Sequence, residues 1–355
     1  MRLLVMGCGG IGGVTTALLA ESGHDVTTYT TNAEIADAIE RGGIELRGDG
    51  SSGVRNVRAR VVREVPPERF DVVLLCTQPP QVEEAARAAL PALTDDGAMV
   101  CFQNGLCEAR VAAIIGGHRT VGAVVAWGAA MLAPGVYERT ADGGFALGAH
   151  GKSNLSDTQR LGPIANVLEV IGPVELTDNL AGKRWSKLAI NAAISALGTI
   201  GGDRLGALLQ HRFVRRLALE IMTECVLVAR AEGVRLEKVS GTVDLDWLAL
   251  TTEEKSMTGS PSLVAKHAML LAVGFRFRRM RSSMLAAIER GRTPAVDFLN
   301  GEVCERGRAA GIATPMNDAA RAFVWEIARG ARKSSLDSLR ELTPKASRLR
   351  SDENA

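Results

Sequence analysis

The sequence predicts an α/β protein, with a doubly wound parallel sheet in its N-terminal part and an all-helical C-terminal domain. Three observations carry this. Short apolar runs alternate with helical stretches over the first 178 residues. A glycine cluster follows the first of those runs at once. Beyond residue 178 the strand signals stop and the apolar spacing becomes helical.

The elements follow in order. Leu3–Met6 is a short apolar strand, and Gly7-Cys8-Gly9-Gly10-Ile11-Gly12 comes directly after it. Val14–Ser22 is helical and ends at Gly23. His24–Thr30 carries β-branched residues at alternate positions, as a strand does. Asn32 is placed to cap a helix over Ala33–Arg41. These pieces make a βαβ unit of about 30 residues. Asp71–Cys76 and Ala98–Phe102 are continuous apolar runs, the mark of parallel strands covered on both faces. A helix over Pro80–Leu90 separates them. A short helix, Arg110–Ile115, leads to a strand over Thr120–Trp127. Gly135–Ala149 has the texture of an antiparallel hairpin, and Val174–Thr177 is the last strand.

Helices are then expected over Leu180–Ile200, Phe213–Gly233, Ser262–Phe275, Ser282–Arg290, Val296–Ala310 and Asn317–Arg329. Asp244–Pro261 is a polar connection. The expected division is 1–178 for the sheet domain, 179–332 for the helical domain, and a polar, flexible tail over 333–355.

Composition narrows the function. A chain of 355 residues suits two domains, and 46% hydrophobic residues are enough to build their cores. Basic and acidic residues number 42 and 40, so the net charge of +2 offers no electrostatic footprint for nucleic acid. The lysines are only 152, 183, 187, 238, 255, 266, 333 and 345, which limits the search for a lysine acid or base. The six cysteines form no C-x-x-C pair and no Cys/His cluster, so no metal site is expected and the thiols are expected reduced. The longest nearly apolar stretch, residues 121–134, falls short of the about 20 residues of a membrane span. The start of the chain shows no signal-peptide pattern. A cytoplasmic protein without membrane or nucleic-acid partners is expected, and a homodimer stays open.

Gly7, Gly9 and Gly12 match G-x-G-x-x-G in its confirming context, after a strand and opening a helix. Gly7 permits the tight turn, Gly9 lets the backbone approach a pyrophosphate, and Gly12 allows close helix–sheet packing. The helix N-terminus offers bare N–H groups to the anion. This makes the N-terminal part a Rossmann-type domain, with Gly7, Cys8, Gly9, Gly10, Ile11 and Gly12 as its cofactor loop. NAD sites carry an acid at the end of the second strand. Here Thr30-Thr31-Asn32 stands there, and Asp25 lies at the strand's other end. Nothing acidic repels a 2′-phosphate and no arginine is adjacent in sequence, so NADP is favoured while NAD stays open.

In the helical part, Lys187, Asn191 and Ser195 recur every four residues and share one helix face among small apolar neighbours. A lysine desolvated there becomes a usable proton donor. The same stripe also arises on a solvated face with the lysine snorkelling to water, and spacing alone does not separate the two. Gln103-Asn104-Gly105 ends a strand, where open α/β sheets bind ligands, although Asn-Gly also serves ordinary turns. Ser282 and Ser283 open a helix, either capping it or binding a carboxylate. Arg276, Arg278, Arg279 and Arg281 form a basic run, which is usually a solvated surface, with a ligand role left open. No histidine is assigned to catalysis.

Taken together these segments resemble the ketopantoate reductase (2-dehydropantoate 2-reductase) family over roughly residues 1–330. The resemblance rests on Gly7–Gly12, Gln103-Asn104-Gly105, Lys187-Leu188-Ala189-Ile190-Asn191, Ser282-Ser283-Met284 and Asp297-Phe298-Leu299-Asn300-Gly301. It implies NADPH-dependent reduction of a 2-keto acid to a 2-hydroxy acid, foremost ketopantoate to pantoate in pantothenate synthesis. It implies Lys187 as the proton donor and Asn104, Asn191 and Ser283 as substrate-binding residues, with Asn104 also near the cofactor. Ser195 stands where a second asparagine is common. Thr31 and Gln78 stand where many members place basic residues for the 2′-phosphate. Ala295 replaces a substrate-contacting glutamate. That change opens two alternatives: a reductase acting on a different 2-oxo acid, and a non-catalytic dinucleotide-binding protein.

Overall fold

The computed structural model describes residues 1–48, 53–151, 155–239, 243–256 and 259–342, without side-chain detail over 155–159. The chain forms two compact units. Met1–Gln103 and Cys107–Leu180 make the first; Asn104–Leu106 and the residues from Ala181 onward make the second.

The first unit has twelve strands among the described residues: β1 Arg2–Met6, β2 Asp25–Tyr29, β3 Ile44–Arg47, β4 Arg55–Val57, β5 Arg60–Val62, β6 Phe70–Leu75, β7 Leu93–Cys101, β8 Thr120–Val125, β9 Gly128–Ala133, β10 Val136–Ala141, β11 Phe145–Ala149 and β12 Val174–Leu176. Eight form one sheet in the order β12-β11-β8-β7-β6-β1-β2-β5. The pairings from β5 through β8 are all parallel, and β11 runs antiparallel to β8. The chain moves outward from β1 to β2 and β5, then returns to the other side of β1 at β6. That reversal puts a crevice at the carboxyl ends of β1 and β6. The central strands are apolar throughout because both faces are covered: Leu3–Met6, Val72–Leu75 and Ala98–Cys101 are buried.

A second sheet, β4-β3-β10-β9, was not expected. It overturns the hairpin expected over Gly135–Ala149. β10 pairs antiparallel with β9 and parallel with β3, whereas β11 joins the large sheet beside β8. The helix Gly10–Glu21 lies between the two sheets, and its glycines touch both. A Cβ on Gly12 would overlap the Gly7 carbonyl oxygen on one side. A Cβ on Gly13 would overlap the ring of the fully buried Tyr137 on the other. A helix over Leu155–Leu168, also unexpected, buries Leu161, Ile164, Ala165 and Leu168 despite its internal Pro163.

The second unit is helical. Its main helices are Leu180–Gly201, Arg212–Ala231, Pro261–Arg276, Ser283–Glu289, Asn300–Ala310 and Pro315–Ala328. They close on a core that includes Trp185, Leu197, Leu217, Ile221, Val303, Phe323 and Val324. A chain of buried polar groups crosses this core. Glu224 accepts hydrogen bonds from the backbone N–H groups of Met316 (2.8 Å) and Asn317 (2.9 Å) and from the Asn317 side chain (2.7 Å). Asn300 donates to Asn317 Oδ1 (2.9 Å) and to the Ala192 carbonyl (3.2 Å). The helix Leu180–Gly201 is thereby tied at its middle.

Two expectations are corrected here. The stretch Asp244–Pro261 holds two short helices, Leu245–Leu248 and Thr252–Ser256. The buried Lys266 anchors them through Glu254 (2.5 Å) and the Ala249 carbonyl (2.8 Å). The tail expected from 333 is docked as far as 342. Ser335 N–H donates to the Ile200 carbonyl (2.8 Å), and Leu339 and Leu342 are buried on a helical turn. Leucines at 336, 339 and 342 give that turn an apolar side to bury. Residues 343–355 lie outside the described residues. Among the described residues no helix is long and apolar enough to cross a membrane.

The Asn300 link makes a stability prediction. Asn300→Ala leaves two buried acceptors without their donor and should cost about 1–3 kcal/mol. A lowered urea midpoint would show it, and an unchanged midpoint would mean that the link carries no stability.

Candidate active site

The cofactor loop begins at the carboxyl end of β1. Gly7 has φ of 98°, and a Cβ there would lie 2.9 Å from Thr77 Cγ2. Beside Gly9 the space is open, with no atom within 4 Å of a Cβ built on it. Gly9 is also the N-cap of the helix Gly10–Glu21, and no side chain caps that helix's first N–H groups. A helix start with uncapped donors and an unobstructed backbone in front of it fits the pyrophosphate of a dinucleotide. The loop is braced from behind. Tyr137 donates its hydroxyl hydrogen to the Cys8 carbonyl (2.9 Å), and its oxygen lies 3.2 Å from Cys8 Sγ. Burial pushes the Cys8 thiol up, so it packs as a neutral group. Gly10 lies against the second sheet, where a Cβ would come 2.9 Å from the Ala129 carbonyl, and Ile11 is half-buried.

At the end of β2, Thr31 is exposed. Asn32 caps the next helix as expected, accepting from Ile35 N–H (3.1 Å), so its side-chain oxygen is engaged. Gln78 is exposed beyond the end of β6. Asp25 is paired with Arg2 (3.1 Å) at the start of β2. The fold adds a residue that the sequence did not suggest. β5 runs beside β2, and Thr30 N–H donates to the Val62 carbonyl (3.1 Å). Arg63 therefore stands next to the end of β2, where it pairs with Asp37 and lies 3.7 Å from Glu40. The absence of arginine from that strand end, inferred from sequence adjacency, is thus corrected by topology. β5 has three residues and only partial burial, which gave no strand signal.

In the second unit, Lys187, Asn191 and Ser195 lie along the helix Leu180–Gly201, each half-buried among the buried Leu188, Ala189, Ala192 and Ala196. Lys187 has its ammonium pKa lowered to about 7, first by burial and then by repulsion from the buried Arg184.

Two motifs touch this helix, and a third touches one of those two at Gly105. Ser282 caps the helix Ser283–Glu289 by accepting from Leu285 N–H (3.3 Å) and donates to the Ser195 carbonyl (3.0 Å). Ser282 also lies 2.9 Å from the Thr199 hydroxyl. The capping role thus falls to Ser282 and leaves Ser283 exposed at the helix start. Gln103 ties the strand ends together by donating to the Leu75 carbonyl (2.9 Å), and the exposed Asn104 follows it. Gly105, with φ of 93°, sits where a Cβ would meet the Phe298 carbonyl at 2.5 Å. Asn300, two residues after Phe298, holds Ala192.

Ala295 is half-buried at the start of the turn Ala295–Phe298. The nearby carboxylate of Asp297 is already engaged by Arg321 (2.6 Å) and Trp325 (3.1 Å). Among the described residues no group of three or more His, Cys, Asp or Glu is placed to hold a metal ion.

Comparison with known proteins supplies the class: an oxidoreductase that uses NAD(P) to act on a CH–OH group. The match to known families makes this specific. Residues 3–152 match "Ketopantoate reductase PanE/ApbA" and residues 179–328 match its C-terminal counterpart, so the chain belongs to that family. It is 23% identical over 317 residues to the 2-dehydropantoate 2-reductase of Pyrococcus horikoshii, covering 89% of this chain and 94% of that protein. The crystal structure of a PanE/ApbA family ketopantoate reductase from Ralstonia eutropha JMP134 matches with a TM-score of 0.76 and 26% identity, covering 93% of this chain and 99% of that one. A D-mandelate dehydrogenase solved with NADH and anilino(oxo)acetate shares the fold, with a TM-score of 0.78 and 18% identity over 93% of this chain and 99% of that one.

The glycines separate binding from folding. Gly9→Ala fills open space, so its thermal midpoint should match the wild type while affinity for the reduced nicotinamide dinucleotide falls by about tenfold or more. Gly12→Ala overpacks the helix against β1 and should cost about 1–3 kcal/mol or more. Thermal melts and fluorescence titration of both variants check this, and intact affinity in Gly9→Ala would remove the loop from the cofactor site.

Proposed function

We propose that the protein reduces a 2-keto acid to a 2-hydroxy acid, with hydride from NADPH and a proton from Lys187, and that ketopantoate is its foremost substrate. Family membership supports the reaction class. The carrying observation is the half-buried Lys187, whose pKa is drawn down to about 7.

The bound nicotinamide supplies one piece of chemistry, a hydride for the carbonyl carbon. The protein's own residues account for the rest. Gly7 to Gly12 hold the pyrophosphate. Negative charge develops on the carbonyl oxygen during reduction, and the Lys187 ammonium both stabilises that charge and delivers the proton. Asn104, Asn191, Ser195 and Ser283 are assigned to holding the substrate's polar groups, with Asn104 also near the cofactor. For NADP, the support is that no acid directly follows the end of β2, where Thr31 is exposed; Arg63 beside it is paired with Asp37, and Gln78 is assigned to the same end. None of the six cysteines is joined in a disulfide, which suits a reducing, cytoplasmic setting.

A second reading concerns the substrate alone. Ala295 offers no hydrogen-bond acceptor, and Asp297 is held by Arg321 and Trp325. A 2-oxo acid without the 4-hydroxyl of ketopantoate loses nothing at such a site. NADPH oxidation with ketopantoate beside 2-oxoisovalerate, with NADH as the parallel donor, tests both readings. Turnover of neither acid would overturn the proposal in favour of a dinucleotide-binding protein without catalysis.

Lys187→Ala should reduce turnover by about 10²–10⁴ while leaving NADPH affinity unchanged. An unchanged rate would remove Lys187 from the mechanism. The pH dependence follows from the same group. The proton donor is the cation, which predominates below the pKa, so kcat/KM for reduction should be level below about pH 7 and fall above it. A profile flat to pH 9 would contradict the assignment.

A further inference from the structure

A dinucleotide seated on a glycine loop lays its adenosine ribose at the end of the second strand, and the groups there decide between a 2′-hydroxyl and a 2′-phosphate. The side chains that follow β2, Thr30, Thr31 and Asn32, are neutral. Strand order brings a cation to them from elsewhere in the chain. β5 runs parallel to β2 with Tyr29 opposite Val62, and Thr30 N–H donates to the Val62 carbonyl. Arg63 is the next residue, level with the end of β2.

The two arginines of this edge differ in how far their N–H groups are committed. Arg60, at the start of β5, gives Nη1 and Nη2 to the two carboxylate oxygens of Glu68 (2.6 and 3.0 Å), which closes its fork. Arg63 engages Nη2 alone. That nitrogen donates to Asp37 and lies 3.7 Å from Glu40. Nε and Nη1 of Arg63 make no hydrogen bond among the described residues. Asp37 and Glu40 stand one turn apart on the helix Ala33–Gly42, whose buried residues are Ile35, Ala36 and Ile39.

Competition follows from these contacts. The Arg63 and Asp37 side chains are 46% and 42% exposed, so their pair lies in water and little is lost when it is exchanged. A 2′-phosphate brings more negative charge than a carboxylate and three acceptor oxygens to a fork with open N–H groups. To take the whole fork it has to draw Nη2 off Asp37. A 2′-hydroxyl is neutral and leaves the pair as it stands. The acid acts chiefly through the arginine it holds, because charges kept apart by water and salt are screened.

We propose that Arg63 selects the cofactor by taking the 2′-phosphate of NADPH, and that Asp37 competes with the phosphate for it. The inference rests on the dinucleotide reading of the glycine loop and extends it to residues outside both the loop and β2. The preference for NADPH over NADH is then a balance between one arginine and one acid, and the acid belongs to the helix Ala33–Gly42.

Fluorescence titration of the full chain with NADPH and with NADH, in the absence of any keto acid, tests this. Arg63→Met keeps the apolar stem and removes the charge. It should raise the NADPH dissociation constant by about tenfold or more and change that of NADH by less than about twofold. Asp37→Asn should do the opposite, lowering the NADPH constant by about threefold or more with NADH unmoved. In the double variant most of that gain should vanish, because the acid has no arginine left to withhold. Both side chains are exposed, so circular dichroism melts should match the wild type. Equal weakening of both dinucleotides by Arg63→Met, or of neither, would overturn the inference while leaving the cofactor reading in place. So would an Asp37→Asn gain that survives without Arg63. A wild type that binds neither dinucleotide would overturn the cofactor reading, and this inference with it.

Discussion

The helix that opens at Gly10 lies between two sheets with no spare room on either side. Gly12 meets the Gly7 carbonyl, just past β1, and the Cys76 side chain, while Gly10 and Gly13 meet Ala129 and Tyr137 of the second sheet. Interiors at crystal-like density do not absorb an extra methyl at such contacts. The position of this helix therefore fixes the loop in front of it, where Gly9 alone of these glycines faces open space. The cofactor loop is shaped less by its own flexibility than by what presses on the helix from both sides. Tyr137 adds a direct link, because its hydroxyl holds the carbonyl of Cys8 within the loop.

The helical unit reaches a similar rigidity through hydrogen bonds. Glu224, Asn317 and Asn300 form a buried relay that ends on the Ala192 carbonyl, between Asn191 and Ala193 of the lysine-bearing helix. Burial raises the Glu224 carboxyl to about 7 even though three N–H groups point at it. A group held against that desolvation is committed to its place. The relay, the Ser282 bridge and the apolar packing around Ala189 and Ala192 hold the helix that carries the half-buried Lys187.

Much of this was legible in the residues. β1, β6 and β7 are covered on both faces, so they read as unbroken apolar runs. The i, i+4 spacing of Lys187, Asn191 and Ser195 placed them on one face. The second sheet was not legible, because β3 and β4 are three or four residues long and mixed in polarity. Sequence proximity suggested pairing β10 with β11, whereas the Pro134-Gly135 turn joins β10 to β9 and was the available signal. Gly162 and Pro163 masked the helix Leu155–Leu168, although Leu161, Ile164 and Leu168 recur with its period. Arg63 was invisible for a different reason: its place beside Thr30 is created by strand order, which adjacency along the chain does not reveal.

The depressed pKa of Lys187 bears on which directions the protein can catalyse near neutrality. An ordinary lysine is almost wholly protonated near neutrality and serves only as an acid. One drawn down to about 7 is present in both forms at once. On the proposed chemistry its cation serves reduction of the keto acid, and its neutral amine serves oxidation of the hydroxy acid by microscopic reversibility. Neither direction then waits on a rare protonation state. Which way the reaction runs is set by the concentrations of both redox couples and by pH, not by the lysine.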